Sequence, residues 1–275
     1  MQKNKLKITF IGGGNMAAAL IGGLAGKLTA AENIHVVDLN ADALDRLQTQ
    51  FGVRTSPAID AAVADSDVVV LAVKPQQMKD VVAQLAPHIG SQLILSIAAG
   101  IRAVDLSRWL GGHNAIVRTM PNTPALIGKG VTGLVATSGV STEQRAAADA
   151  VLHAVGETVW LEDEELIDSV TAVSGSGPAY VFYFIEAMQQ AAQEMGLTSA
   201  QGNALAISTF VGAAQLAAQS SDPVSVLRER VTSKGGTTYA ALTSMEQSGV
   251  KAAIVKAMKA AAARGKELGE EFGRD

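Results

Sequence analysis

Short apolar runs alternate with amphipathic stretches over roughly the first 160 residues of the chain. The runs at 68–73 and 93–97 are apolar at almost every position, as expected of strands that helices cover on both faces. This alternation is typical of a parallel sheet. Strands are predicted at 6–11, 34–38, 67–73, 92–97, 115–120, 131–136 and 158–161, and helices at 15–27, 42–50, 76–86 and 142–154.

After residue 161 the pattern changes, and no further strand is predicted. Helices are predicted at 163–173, 178–195, 198–219, 222–231, 236–248 and 250–271, with breaks at Gly196 and Gly249. Ser221 or Asp222 is expected to cap the helix at 222–231. We therefore predict an α/β fold, with a parallel-sheet domain at 1–162 and an all-helical domain at 163–275.

The first predicted strand runs into a glycine-rich turn and then into a helix. Gly12, Gly14 and Ala17 fit the pattern G-x-G-x-x-A, which combines a tight turn, room for a pyrophosphate and close helix packing. Asp38 ends the second strand, where a carboxylate can bind ribose hydroxyls. Together these features predict a Rossmann-type dinucleotide-binding domain at 1–162. The alternative is a glycine turn without a ligand, with Asp38 as a helix N-cap.

Composition narrows the class of protein. The chain is 48% hydrophobic and 17% charged, which allows a large core and argues against disorder. A net charge of −4 without a basic run argues against nucleic acid as a partner. We expect no secretory signal, because no signal-type apolar region precedes a small-residue cleavage site, and no membrane span, because no uninterrupted apolar run approaches the required length. The absence of cysteine excludes thiolate metal sites and is typical of a cytoplasmic protein.

The predicted helical domain is rich in alanine and poor in aromatic residues. A domain of about 110 residues with such small side chains gains little from burial on its own. Small residues at 252, 253, 257, 260–263 and 265 also allow close contact between helices. We therefore expect a homo-oligomer, at least a dimer, held together through the helical domain at 163–275.

Three polar loops could carry chemistry. The loop at 118–124 follows a strand and should meet Lys74-Pro75 and the loop at 98–100 at the carboxyl edge of the sheet, where ligands bind. The loops at 171–180 and 231–238 lie between helices and offer hydroxyls and free N–H groups to an anion. Simple structural roles remain open at two places: turns and helix starts at the sheet edge, and a flexible linker at 231–238.

Ionisable groups suited to catalysis are scarce. The four histidines are scattered without metal-ligand spacing, so we expect no metal site. The polar loops carry hydroxyls, amides and Lys234, and no cysteine nucleophile exists. Such loops suit a site that binds a charged substrate and orients it against a cofactor, in preference to dedicated acid–base catalysis.

Five segments in this order closely resemble pyrroline-5-carboxylate reductases. They are IGGGNMA at 11–17, AVKP at 72–75, MPNTP at 120–124, SGSGPAY at 174–180 and VTSKGGTT at 231–238. The resemblance implies an NAD(P)H-dependent enzyme that reduces the C=N bond of 1-pyrroline-5-carboxylate to L-proline, the last step of proline biosynthesis. It also implies a helical C-terminal domain that interlocks two subunits.

The resemblance also implies roles for individual residues. Thr171 would point its hydroxyl at the ring nitrogen of the substrate. Substrate carboxylate contacts would come from Ser233, Thr237 and Thr238. Cofactor contacts would come from Gly12, Gly13, Gly14, Asn15 and Met16 at the turn, Asp38 and Asn40 at the ribose end, Val73, Lys74 and Ala99 along the cofactor, and Glu164 from the second domain.

Two features of the sequence point to different cofactors. The family often uses NADPH, and many members have a neutral residue at the Asp38 position. A carboxylate at the end of the second strand instead suits the ribose hydroxyls of NADH. We expect both NADPH and NADH to work, with Asp38 penalising NADPH.

Two other function classes remain open from the sequence. A hydroxy-acid or hydroxyacyl dehydrogenase has the same two-domain arrangement but needs a lysine four residues after the last glycine of its loop. Here that position, counted from Gly177, is Val181. A non-catalytic dinucleotide sensor would need the glycine turn but not the hydroxyl-rich loop at 231–238.

Overall fold

The computed structural model describes residues 6–274, and these fall into two compact units. The first, the sheet unit, comprises 6–176 together with 261–274, and the second, the helical unit, comprises 177–260. The domain boundary predicted at residues 162 and 163 remains a proposal. The compact units divide elsewhere because the segment at 166–175 and the C-terminal residues pack on the sheet.

Eight strands form one sheet within the described residues. Their order across the sheet is β3-β2-β1-β4-β5-β6-β7-β8. The strands are β1 (Ile8–Ile11), β2 (Ile34–Val37), β3 (Arg54–Ser56), β4 (Val68–Leu71), β5 (Leu93–Ser96), β6 (Ile116–Met120), β7 (Gly130–Ala136) and β8 (Gly156–Trp160).

The prediction of a parallel sheet is confirmed for β1 to β6 but is wrong for the end of the sheet. β7 pairs antiparallel with β6, and β8 pairs parallel with β7. The reversal has a local cause: only residues 121–129 connect β6 to β7, and they form a single 3-10 turn. A parallel pair would need a crossover of a dozen or more residues.

Six helices belong to the sheet unit. They are α1 (Asn15–Leu24), α2 (Ala41–Phe51), α3 (Met78–Leu85), α4 (Ala103–Trp109), α5 (Thr142–His153) and α6 (Leu166–Val170). One buried cluster packs α1, α2 and α5 on one face of the sheet, and a second packs α3 and α4 on the other. The central strands are therefore buried on both faces, as their apolar runs predicted.

Sequence patterns missed two elements of the sheet unit. β3 has three residues, Arg54–Ser56, and lies at the edge of the sheet, so it shows no apolar run. α4 has only seven residues, which is too short for a clear helical period. Both elements form because neighbouring residues supply their packing and hydrogen bonds.

The helical unit contains α7 (Gly177–Glu194), α8 (Ser199–Gln219), α9 (Val224–Arg230) and α10 (Thr237–Gln247). α11 (Val250–Phe272) contributes residues to both units. Gly196 and Gly249 have φ of +93° and +66°, and each follows a helix, as predicted. The predicted cap by Ser221 or Asp222 is wrong, because Pro223 occupies the N-cap of α9.

The helical unit has almost no core of its own. Within 177–260 the buried residues of the helices are Ala192, Gly202 and Ala206. Large apolar side chains such as Phe182, Tyr183 and Met195 are instead exposed. A surface of this kind is typical of a protein interface.

Across residues 6–274, every helix is too short or too polar to cross a lipid bilayer.

His35 on β2 provides a pH-dependent contribution to stability. Its Nε2 lies 2.6 Å from the hydroxyl of Ser56, whereas Nδ1 is buried without a partner. Burial lowers the pKa of His35 below 6.5; the charge of Arg54 lowers it further and that of Asp60 opposes the shift. Because the pKa is lower in the folded state, the contribution of His35 to the free energy of unfolding is fully present above pH 6.5. That contribution is lost as the pH falls through the lowered pKa.

We expect the free energy of unfolding to fall more steeply with acid in the wild type than in His35→Gln. The difference in slope should approach about 1.4 kcal/mol per pH unit at most. Urea unfolding at about pH 7.5 and about pH 5.5 measures it. Equal pH dependence in both proteins would contradict the assignment.

Candidate functional site

The glycine turn after β1 is held in a conformation that requires glycine. Gly12 has a φ of +106°, and its N–H donates to the carbonyl of Val37. A Cβ at Gly12 would lie 2.7 Å from the carbonyl oxygen of Ala72. By contrast, a Cβ at Gly14 would meet no atom within 4 Å. Gly12 is thus needed for the fold of the turn, whereas Gly14 keeps open space in front of α1.

The carboxylate of Asp38 ties the glycine turn to the end of β2. Oδ2 accepts a hydrogen bond of 2.6 Å from the backbone N–H of Gly13, and Oδ1 accepts one of 2.8 Å from that of Asn40. The N-cap of α2 is Asn40, whose side chain accepts from Ala43. The structure therefore excludes the alternative that Asp38 caps this helix.

A cavity of about 300 Å³ opens beside the glycine turn. Of the predicted cofactor residues, the structure places these along its wall: Gly12, Gly14, Asp38, Val73 and Lys74. Gly13, Asn15, Met16, Asn40, Ala99 and Glu164 do not line it. Apolar side chains, among them Ile59 and Val81, form part of the wall. The cavity thus offers a backbone turn, a carboxylate and an apolar surface to one ligand.

Thr171 lies in a π-helical turn that directly follows α6. The turn spans Thr171–Gly175, and the N–H of Ser176 donates to the carbonyl of Thr171. The Thr171 hydroxyl donates to the carbonyl of Ile167 over 2.8 Å. The hydroxyl proton of Thr171 is therefore already in a hydrogen bond, whereas its oxygen can still accept one. π-Helical turns occur frequently at functional sites.

Asn122 holds this π-helical turn in place. Its side-chain nitrogen donates to the carbonyl of Ser174, and its oxygen accepts from the N–H of Val131. Met120 also packs so closely on Gly175 that a Cβ there would lie 2.6 Å from its Cε. The sequence predicted a polar loop at 118–124 but not this role, because nothing in the local pattern pairs Asn122 with Ser174.

Glu164, which the resemblance placed in the second domain, lies in the sheet unit and forms its hydrogen bonds there. Oε1 accepts from the backbone N–H of Ala103 at 2.7 Å and from Nη1 of Arg118 at 3.0 Å. Arg118 itself, predicted as the start of a polar loop, is 1% exposed on β6. Burial lowers the pKa of Arg118, and the charges of Glu164 and Asp168 oppose that shift while Arg102 adds to it.

Within the helical unit, Ser233, Thr237 and Thr238 come together around the start of α10. Gly235 has a φ of +74°, and the N–H of Gly236 donates to the carbonyl of Ser233. Among residues 6–274, no side chain caps the N-terminus of α10, whose first residues are Thr237 and Thr238. Backbone N–H groups and two hydroxyls are thus available to an anion at this turn.

No group of three or more histidines, aspartates or glutamates within 6–274 is arranged to hold a metal ion.

The glycine turn, the cavity beside it and the carboxylate at the end of β2 define a dinucleotide-binding protein of the Rossmann type, here joined to a helical unit. A family model for pyrroline-5-carboxylate reductase dimerisation matches residues 164–268. A second, described as coenzyme F420-dependent NADP oxidoreductase, matches residues 7–100. The two matches fall on the two halves of the predicted architecture.

Known proteins are similar over the whole chain. The chain is 46% identical over 269 residues to pyrroline-5-carboxylate reductase of Pseudomonas aeruginosa, with 98% of each protein covered. A solved pyrroline-5-carboxylate reductase of Coxiella burnetii is 40% identical, with a TM-score of 0.91 over 96% of this chain and 99% of that one. A Plasmodium falciparum pyrroline carboxylate reductase with NADP bound is 28% identical, with a TM-score of 0.86 over 97% and 99%.

The chain therefore belongs to the pyrroline-5-carboxylate reductase family, a family of NAD(P)-dependent oxidoreductases. The resemblance carried by the five sequence motifs is confirmed.

Proposed function

We propose that this protein reduces the C=N bond of 1-pyrroline-5-carboxylate to L-proline with NADPH or NADH, the last step of proline biosynthesis. Its membership of the family, over 98% of the chain, is the observation that carries the proposal. The cavity at the glycine turn supports the cofactor, and the hydroxyl-rich start of α10 supports an anionic substrate. We also propose a cytoplasmic location, where reduced nicotinamide cofactors are produced.

The residues at the glycine turn fit a dinucleotide. The open space at Gly14 and the uncapped N-terminus of α1 suit a pyrophosphate, because free N–H groups and the helix dipole both favour negative charge there. Asn15 and Met16, in the first turn of α1, contribute N–H groups to the same place. Asp38 and Asn40 are assigned to the ribose, and Val73, Lys74 and Ala99 to the remaining length of the cofactor.

When bound, the reduced cofactor supplies a hydride to the imine carbon. The chain's own task is then to hold the substrate in the productive orientation, which can provide much of the rate enhancement. Because the Thr171 hydroxyl donates to Ile167, we assign its oxygen as the acceptor for the N–H of the protonated imine. Ser233, Thr237 and Thr238 hold the carboxylate with charge-assisted hydrogen bonds.

A direct assay tests this proposal. The purified protein is given 1-pyrroline-5-carboxylate with NADPH and, in parallel, with NADH, and loss of the reduced nicotinamide absorbance is followed together with formation of proline. We expect turnover with both cofactors. A protein that binds NADPH but forms no proline would be a dinucleotide sensor, and the proposal would be wrong.

Asp38 is expected to set the preference between the two cofactors. A 2′-phosphate about 4 Å from its carboxylate would be repelled by roughly 4 kcal/mol per unit charge at an effective dielectric constant of 20, less what solvent screens. In Asp38→Ser, the ratio of kcat/KM for NADPH over NADH should rise at least several-fold. Asp38→Asn is the matched control for size, and it should raise the ratio in the same direction. An unmoved ratio in both variants would show that the carboxylate does not face the 2′ position.

The dimerisation domain and the exposed apolar side chains of the helical unit support a homo-oligomer. We expect light scattering to give at least a dimeric mass at micromolar concentration, because side chains such as Phe182 and Tyr183 would otherwise remain in water. Phe182→Glu should weaken this association, whereas Gln190→Glu on the same helix should not. A monodisperse and fully active monomer would contradict the expectation.

A further inference from the structure

Four charged side chains of the sheet unit form a cluster, in which only Glu164 has an expected role at the cofactor. Arg102, Asp168, Arg118 and Glu164 alternate in sign, and we call them the ion cluster. Nη2 of Arg102 lies 2.6 Å from Oδ2 of Asp168, and Nη1 of Arg118 lies 3.0 Å from Oε1 of Glu164. Arg118 and Asp168 are joined by an ion pair of 3.8 Å.

Burial makes the geometry of the ion cluster restrictive. The side chains of Arg118 and Asp168 are 1% and 12% exposed, and that of Arg102 is 19% exposed. Removing one partner of a buried pair leaves the other charge without compensation, so the remaining groups must shift. The ion cluster therefore holds the segments that carry its members in fixed positions, and loss of one charge should shift these segments.

Those segments are the ones assigned to cofactor and substrate. Arg102 follows the loop at 98–100, which contains Ala99, and it immediately precedes α4. Asp168 lies on α6 beside Ile167, whose carbonyl accepts the hydroxyl of Thr171. The 2.6 Å pair between Arg102 and Asp168 thus connects the loop of Ala99 to the helix that leads into the Thr171 turn.

Two glycines near the end of α11 pack against the pair of Arg102 and Asp168. A Cβ at Gly269 would lie 2.8 Å from Nε of Arg102, and one at Gly265 would lie 3.6 Å from Oδ1 of Asp168. A Cβ at Gly100 would lie 3.2 Å from that of Leu268. Close packing on both sides of the pair leaves Arg102 little freedom to move.

We propose that the ion cluster sets the position of the Thr171 turn relative to the loop of Ala99, so that Arg102 and Asp168 are positioning residues for hydride transfer. The inference rests on the proposed roles of Thr171 and Ala99. Neither Arg102 nor Asp168 needs to touch the substrate. Loss of the pair changes the alignment of the reacting atoms, which slows the hydride step in folded protein with cofactor bound.

Single-turnover stopped flow tests the proposal in the full-length protein. Enzyme saturated with NADPH is mixed with 1-pyrroline-5-carboxylate, and the rate constant and amplitude of nicotinamide oxidation are recorded separately. We expect Asp168→Asn and Arg102→Met to lower the rate constant at least tenfold, at an amplitude that matches the folded fraction. Arg102→Lys, which keeps the charge, should recover most of the rate constant.

Glu271→Gln is the matched control, because it removes a carboxylate from an exposed pair with Arg264 in the same unit. It should leave both rate constant and amplitude unchanged. If Asp168→Asn and Arg102→Met lose amplitude but keep the wild-type rate constant, the pair has a merely structural role. That result would overturn the inference. Absence of turnover in the wild type would instead overturn the proposed function, so the two failures are distinguishable.

Discussion

Replacing Thr238 by alanine is expected to raise the KM for 1-pyrroline-5-carboxylate about ten- to hundredfold. A hydrogen bond to a charged group is worth roughly 1.5–3 kcal/mol, and each 1.4 kcal/mol corresponds to a factor of about ten. Thr238 lies in the first turn of α10, where no side chain caps the free N–H groups. In the proposed function, its hydroxyl and these N–H groups bind the carboxylate of the substrate.

The matched control is Thr243→Ala on the same helix. The hydroxyl of Thr243 donates to the carbonyl of Tyr239, as is common for threonine in a helix, and has no assigned ligand. Thr243→Ala should leave the KM for 1-pyrroline-5-carboxylate within twofold or so of the wild type, as is usual for a substitution remote from the site. The affinity for NADPH, measured by fluorescence titration, should not change in either variant. An unchanged KM together with weakened NADPH binding in Thr238→Ala would show that the turn at 233–238 is misassigned.

Changing Gly12 or Gly14 of the glycine turn after β1 to alanine should have different effects. Gly12→Ala is expected to lower the free energy of unfolding by about 3 kcal/mol, because both positive φ and contact with a fixed backbone act against it. The φ is +106°, and the new Cβ would lie 2.7 Å from the carbonyl oxygen of Ala72. Urea unfolding of wild type and variant measures the loss.

Gly14→Ala should leave stability almost unchanged and weaken NADPH binding instead. Its φ is −71°, and no atom lies within 4 Å of the added Cβ, so the folded chain accepts it. The added methyl group would stand where the pyrophosphate approaches α1. If Gly14→Ala binds NADPH as tightly as the wild type, the pyrophosphate lies elsewhere; if it unfolds as easily as Gly12→Ala, the space at Gly14 is not free.

Much of the sheet unit could be predicted because its signals are local. The run at 68–73 is apolar at almost every position since helices cover both faces of β4, and β5 follows the same rule. Gly12 is required by its own backbone conformation, which a sequence pattern can indicate. The strands predicted at 34–38 and 92–97 agree with β2 and β5 to within one residue at each end, because their signals are local too.

The candidate site was predictable only in part. The motif at 11–17 and the acid at 38 indicated the dinucleotide cavity, and the structure brings Gly12, Gly14 and Asp38 to its wall. The pattern did not predict that Asp38 also bonds the backbone of Gly13 and Asn40. Such bonds depend on how two loops approach one another, and that approach is a property of the folded sheet.

Taken alone, the sequence determined the family, the order of the strands and helices other than β3 and α4, and positions such as Gly12 where glycine is required. Each of these is encoded in short segments by periodicity, conformational preference or motif. Tertiary structure alone decided the π-helical turn at Thr171 and the burial of Arg118. The pairs of the ion cluster join residues 66 and 46 positions apart, so only packing, which brings distant segments together, can create them.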